Sequence, residues 1–324
     1  VSSISVTSNV ATVTTSTDHG YNQYDIIAIS GANEPVFNDS FRITEITSST
    51  VFKVAVATAD GSATGTITCK IAPLGWTREF TKTNKSVYRA PAGNRFYLRI
   101  DDSQAQYATM AMYETMSSVD TGTGKSANVY WKKSNASSTA AREWWAFGND
   151  KFFYLFTSWD ASGGNCGYAF GEFPSLRMGD LYNTLIIGYS SATPSYIYLS
   201  QSFTYCNNAS AQNTGHYLIR SLLGSSTLGF FKTSTPSGQM SYGTSVSFPN
   251  FADIGLHLFD IKIIENAGPY RGKMPGLLVA MESTGGYFAS GDRSVVIDDD
   301  SFVAIKIANN NGLGNCFILD GDWV

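Results

Sequence analysis

The chain has 324 residues, a formal net charge of −4, 14% aromatic and only 15% charged residues, and 30 glycines. Its length allows a large core and two or three domains, while the mild negative charge excludes a strong electrostatic pull toward nucleic acid or an anionic membrane. An aromatic-rich, glycine-rich, charge-poor composition predicts an all-β protein with many turns, since helices need more Ala, Leu, Glu and Lys on their faces.

The first 72 residues have a texture of their own. In "ISVTSNVATVTT", Ile4, Val6, Val10 and Val13 flank a Ser8-Asn9 turn, a hairpin pattern. A short apolar strand follows from Ile26 to Ile29, after a turn at Gly20. The next hairpin carries Phe41, Ile43 and Ile46, turns at Ser48-Ser49 and returns through Val51 to Val56, and "GSATGTITCKI" supplies a last strand before Pro73. Short strands at this spacing predict a small β-sandwich or barrel-like domain over residues 1–72.

Beyond "APLGW" the segments become richer in aromatics, which predicts a larger β-sandwich-type domain over residues 73–324, with room for subdivision. Phe96, Leu98 and Ile100 alternate with Tyr97 and Arg99, as in a half-buried strand. "SQAQYATMAMYETMSSV" offers a helical turn, but Ala108, Met110, Met112 and Glu114 also fit a period of two, and strand is the preferred reading. "EWWAFGNDKFFYLFTSWD" is an aromatic strand region, and the final "SFVAIKIANNNGLGNCFILDGDWV" reads as two strands about an Asn/Gly-rich hairpin loop. No apolar run reaches the roughly 18 residues of a membrane span, and no basic, then apolar, leader pattern opens the chain, so no signal peptide is expected.

"VDTGTGKSAN", residues 119–128, ends like a phosphate-binding loop, with Gly124, Lys125 and Ser126. Such a loop needs G-x-x-x-x-G-K-[ST] between a strand and a helix. Here the first glycine is replaced by Val119, and "SANVYWKKSNASS" has no helical apolar stripe. A flexible loop between strands is expected, without bound nucleotide.

Other chemistry is sparse. Cys69, Cys166, Cys206 and Cys316 form no C-x-x-C pair and stand apart from histidines, which predicts no zinc site and free thiols of a reducing cytoplasm; spacing alone leaves a disulfide open. The sequons at Asn38, Asn135 and Asn208 then read as coincidence. His19, His216 and His257 lie in turns or on a strand and read as structural. No nucleophile elbow or H-E-x-x-H occurs, although a Ser-His-Asp triad drawn from distant segments stays open. The acidic clusters Asp101-Asp102 and Asp298 to Asp300 lack calcium-loop spacing and read as solvated turns. Trp144, Trp145, Phe152, Phe153 and Tyr154 suit sugar stacking, but equally the interior of a sandwich.

Several stretches carry a family likeness. "ITSSTVFKVAVATADGSATGT" resembles the small β-domains at the front of many phage virion proteins. "LGWTREFTKTNKSVYRAPAGNRFYLRIDDS", "AMYETMSSVDTGTG", "WKKS…AREWWAFGNDKFFYLF" and "MPGLLVAM" resemble a family of uncharacterised structural proteins of tailed bacteriophages, over roughly residues 1–160 and 270–324. The resemblance implies a non-enzymatic virion component of tail, neck or capsid, made in the host cytoplasm and residing in the virion. It implies no catalytic residues, no metal and no cofactor. Its partners would be other virion proteins or further copies of itself, with no nucleic acid or membrane. A host-glycan-binding adhesin is the alternative, and a polysaccharide-degrading enzyme the third reading. Aromatics near the surface are the expected assembly contacts, and the candidates are Trp144, Trp145 and Trp323. Strand alternation predicts that Trp144 and Trp145 face opposite sides.

Overall fold

The computed structural model describes residues 1–134, 142, 144–158, 165–192, 214–221, 229–234, 258–265, 270–280, 292–297, 300–309 and 312–319. Strands make up 59% of the chain, and among the described residues there is no α-helix, so the fold is all-β with curled antiparallel sheets. Two compact units divide it, Val1–Leu74 and Gly75–Val324.

In the first unit the strands are β1 (Ser3–Thr7), β2 (Val10–Thr14), β3 (Ile26–Ala32), β4 (Ser40–Ser48), β5 (Val51–Ala55), β6 (Gly61–Ser62) and β7 (Gly65–Ile71). Ser8 and Asn9 both take positive φ, 52° and 62°. That is the two-residue hairpin geometry whose twist matches its strands. It pairs Thr7 with Val10 and Val6 with Ala11, so Ala11 and Val13 turn inward with Ile4 and Val6, and Val10 is exposed. A two-residue turn sets the register, and register decides the face.

The seven strands form one sheet in the order β6-β1-β2-β5-β4-β3-β7. Its two edge strands, β6 and β7, are separated by only Ala63 and Thr64, so the sheet must curl until its ends meet. The terminal ammonium of Val1 donates to the Ile67 carbonyl at 3.2 Å across that closure. Phe52, Ile27, Ile43 and Val54 fill the enclosed core. At the β3–β7 register shift the backbones touch: a Cβ on Gly31 (φ +84°) would lie 2.2 Å from the Thr66 carbonyl oxygen, and one on Gly65 (φ +114°) 2.4 Å from that of Gly31. Only glycine fits both the torsions and the space.

The second unit continues with β8 (Thr77–Lys82), β9 (Lys85–Arg89), β10 (Tyr97–Asp101), β11 (Tyr107–Tyr113), β12 (Thr115–Met116), β13 (Gly122–Thr123), β14 (Val129–Lys132), β15 (Trp144–Gly148) and β16 (Phe152–Ser158). Then come β17 (Asn165–Glu172), β18 (Thr184–Tyr189), β19 (Thr214–Leu218), β20 (Gly229–Ser234), β21 (Leu258–Glu265), β22 (Tyr270–Ala280), β23 (Asp292–Ile297), β24 (Asp300–Asn309) and β25 (Gly312–Leu319). Within 103–119 the strand reading prevails over Tyr107–Tyr113, as β11. The last two strands form the hairpin read from the Asn/Gly-rich loop.

β16 to β19 lie side by side and are buried on both faces. One face packs Phe152, Tyr154, Leu185, Ile187 and Leu218 against Ile261 and Ile263 of β21 and Met274 and Leu277 of β22. The other packs Tyr168, Phe170, Ile186 and Tyr217 against Leu98, Met110, Met112, Val129 and Trp131 of β10, β11 and β14. A strand enclosed on both sides has no polar face, and all six residues of β18 are buried. The buried rings find partners for their polar atoms: Tyr154 donates to the Pro275 carbonyl at 2.7 Å and Trp131 to that of Ile187 at 2.9 Å.

A buried charge cluster ties β21 and β22 to the loop after β17. Arg271, 1% exposed, donates to Asp180 Oδ2 at 2.7 Å and to Glu265, and also to the Tyr182 carbonyl at 3.3 Å. Burial opposes the charge of Asp180. Hydrogen bonds from the Ser175 hydroxyl, the Tyr182 N–H and Arg271 outweigh it and hold the carboxyl below its ordinary range.

Candidate functional site

The outer face of the β9-β10-β11-β14 sheet carries the site, and part of it is covered by a small cluster of Val87, Ala111, Tyr113 and Met116. Antiparallel register sets Arg99 opposite Ala111, Asp101 opposite Thr109, and Thr109 opposite Tyr130. Directly opposed residues share a face, so Arg99, Asp101, Tyr107, Thr109, Tyr113 and Tyr130 all project away from the core filled by Leu98, Met110 and Met112. These side chains floor and wall a cleft of about 330 Å³. The turn after β10 adds Ser103 and Gln104 at one end.

The remaining wall is the glycine-rich stretch 119–128, which folds back over the sheet. β12 and β13 make a small hairpin whose close approach needs glycine: a Cβ on Gly122 would lie 2.5 Å from the Thr115 carbonyl oxygen. Val119 is buried, and its carbonyl accepts from Arg99 Nε at 2.8 Å. Ser126 is buried as well. Its hydroxyl accepts from the Met112 N–H at 2.9 Å and donates to the Ala127 carbonyl at 2.8 Å, while its N–H donates to the Met112 carbonyl at 2.9 Å. The Ser126 hydroxyl, which in a phosphate-binding loop would face a metal ion, is committed to the backbone of Met112 and Ala127. No helix follows; residues 125–128 run irregularly into β14. Asp120, Lys125 and Asn128 are thereby turned toward the cleft.

Electrostatics organise the wall. Asp120 accepts from Arg99 at 3.0 Å, Lys82 at 3.3 Å and Lys85 at 3.4 Å. These hydrogen bonds, that of Arg99 foremost, bring its carboxyl down to about 2. Burial works against the charge of Asp101. The hydroxyl and N–H of Ser103, with Lys85 and Arg99 nearby, prevail and keep it below the usual carboxylate range. Both acids are therefore ionised at neutral pH. Burial pushes the Tyr113 phenol up. Lys125 lies over the Tyr113 ring, 6.0 Å from its centroid, and Tyr107 meets Tyr130 edge-on at 5.3 Å.

The other sequence candidates are placed as follows. Trp144 and Trp145 on β15 face opposite ways: Trp144 is 65% exposed, and Trp145 packs against the core. Trp323 lies outside the described residues. Phe152 and Tyr154 are core residues, and Phe153 packs on the opposite side of the same sheet. Asp102 is paired with Lys133 at 2.6 Å, and Asp298 and Asp299 lie outside the described residues. His19 Nδ1 accepts from the Tyr21 N–H and Nε2 lies 3.1 Å from the Ser48 carbonyl, a turn-holding role. His216 is buried on β19, and His257 lies outside the described residues. Cys69, half-buried, and Cys166, buried, form no disulfide among the described residues.

A second surface feature escaped the sequence reading. Between β17 and β18, Leu176 and Leu181 are each 65% exposed and Met178 98%. The loop that bears them is held rigidly: the Phe173 N–H donates to the Asn183 carbonyl, Ser175 Oγ to Asp180, and Leu176 N–H to the Arg271 carbonyl. Three apolar side chains, Leu176, Met178 and Leu181, in a short segment that holds Pro174 and Gly179 and keeps no strand alternation, were the available signal. The sequence matches no protein-family model and no curated protein.

Proposed function

We propose that this chain is a non-enzymatic structural component of a tailed-phage virion, a tail, neck or capsid-associated protein that works through protein–protein assembly in many copies. The observation that carries the reading is the loop with Leu176, Met178 and Leu181. A loop already tied in place loses little backbone entropy when its apolar side chains are covered, which suits an interface anchor. Trp144 is a further anchor on the same unit, and the aromatic-rich, charge-poor composition fits large polar-rimmed contacts repeated across copies. The likeness of the sequence to phage virion proteins supplies the context.

Sedimentation velocity of the purified chain, alone and with virion proteins, tests this. The chain should form multimers or bind a virion component, and Leu176→Ser/Met178→Ser/Leu181→Ser should abolish that association while leaving the unfolding transition in place. A chain that stays monomeric, binds no virion protein and is missing from washed particles is not the structural protein described.

A further inference from the structure

We infer that the cleft over β10, β11 and β14 is a saccharide-binding site, with a preference for sugars that carry a carboxylate. It is a site separate from the assembly surface and stands or falls independently of it.

Three observations lead there. First, the cleft is rich in unused polar capacity. Among the described residues, the side chains of Gln104, Tyr107, Thr109, Lys125, Asn128 and Tyr130 make no hydrogen bond within the chain, although all converge on one concavity. Its volume of about 330 Å³ lies at the lower end of small-molecule sites, on the scale of one or two pyranose rings. A ligand that answers closely spaced donors and acceptors with hydroxyls, while offering C–H faces to rings, is a sugar. The Tyr107–Tyr130 corner supplies the rings.

Second, the wall is preorganised. Arg99 is fixed by the Val119 carbonyl, Asp101 and Asp120, and Asp101 is fixed by Ser103 Oγ at 2.7 Å. Side chains tied down by such bonds keep the wall's shape without a ligand, and a preformed site raises affinity by lowering the ordering cost.

Third, charge balance decides the kind of sugar. Arg99, Lys82 and Lys85 already pair with Asp101 and Asp120, three cations on two carboxylates. Lys125 has only the face of Tyr113 beneath it, leaving an ammonium at the cleft without a carboxylate partner. A uronic acid supplies that partner together with the hydroxyls.

The test is a titration of the full chain with glucose, galactose, glucuronate and galacturonate, followed by saturation-transfer NMR. The uronates should bind saturably with millimolar Kd, about three- to fivefold tighter than the neutral sugars, the range of one exposed ion pair. Lys125→Gln should erase that difference and leave neutral-sugar binding in place. Gln104→Ala/Asn128→Ala, at exposed positions that do not threaten folding, should weaken all four sugars by at least about fivefold. No binding of any of the four up to ~50 mM, or binding indifferent to both variants, overturns the site. Equal affinity for neutral and acidic sugars in the unaltered chain overturns the assignment to Lys125.

Discussion

Replacing Arg271 with methionine tests whether the buried charge cluster holds the second unit together. The guanidinium is enclosed, and its bonds to Asp180, Glu265 and the Tyr182 carbonyl join β22, β21 and the loop 173–183. Methionine keeps much of the stem's volume but leaves two buried carboxylates without their cation. Breaking one partner of a buried pair typically costs about 3–5 kcal/mol. For a domain of this size each kcal/mol moves the midpoint by about 2–4 °C, so Tm should fall by ~6–20 °C. Tryptophan fluorescence is the assay, because all six tryptophans lie at or beyond Trp76, inside the second unit. The sign with pH is defined. In the unaltered chain the lowered carboxyl of Asp180 contributes stability above the unfolded carboxylate pKa, and that contribution is lost as acid protonates it in the folded state. In Arg271→Met the Asp180 carboxyl loses one of the bonds that lower it while its burial remains, so the deficit against the unaltered chain is present at neutral pH and shrinks as acid protonates the carboxyl. Arg271→Met/Asp180→Asn/Glu265→Gln should recover much of the loss. A deficit under ~1 kcal/mol, or one that neither acid nor neutralising the two acids relieves, refutes the reasoning.

Residues 1–74 alone should unfold cooperatively and give dispersed β-type NMR shifts; a disordered spectrum would mean that these strands need the second unit. Within that piece Gly65→Ala should cost at least ~2 kcal/mol by urea titration, because φ of +114° and the Gly31 carbonyl both exclude a Cβ, and a neutral result would refute the contact. The side-chain carboxyl of Asp120 should titrate by NMR with a midpoint near 2, and Arg99→Gln should move it upward toward the ordinary value. Lys125→Ala should change stability by less than about 0.5 kcal/mol, and calorimetry should show no saturable ATP or GTP binding to the unaltered chain. Nucleotide binding lost in that variant would restore the phosphate-loop reading.

What could be read from the sequence was what depends on neighbours along the chain. The Ser8-Asn9 hairpin, the period-two burial of Ala108, Met110 and Met112, and the opposed faces of Trp144 and Trp145 all follow from local turn and pleat geometry. The cleft was not legible, because strand register alone brings Asp101, Thr109 and Tyr130 to one face, and register is a non-local property. Lys125 and Asp120 looked like fragments of a flexible loop. Their loop is in fact anchored through the buried Val119 and Ser126, and a buried serine is not what its residue type suggests. The Arg271 cluster was equally hidden: Asp180, Glu265 and Arg271 sit in unremarkable turn and strand segments, and only tertiary packing makes them partners.

The double-sided burial of β18 has a consequence for synthesis. As the chain emerges, β10 to β14 are available in time to cover one side of Ile186, but the strands that cover Leu185 and Ile187, β21 and β22, arrive some 70 residues later. At a translation rate of about 5–20 residues per second that side stays bare for several seconds, presenting Phe152, Tyr154 and Leu185 to whatever is nearby. A chain stopped short of residue 258 would keep the cleft's strands and lack the cover, and its fate would be set by that naked apolar face: aggregation, or capture by a chaperone.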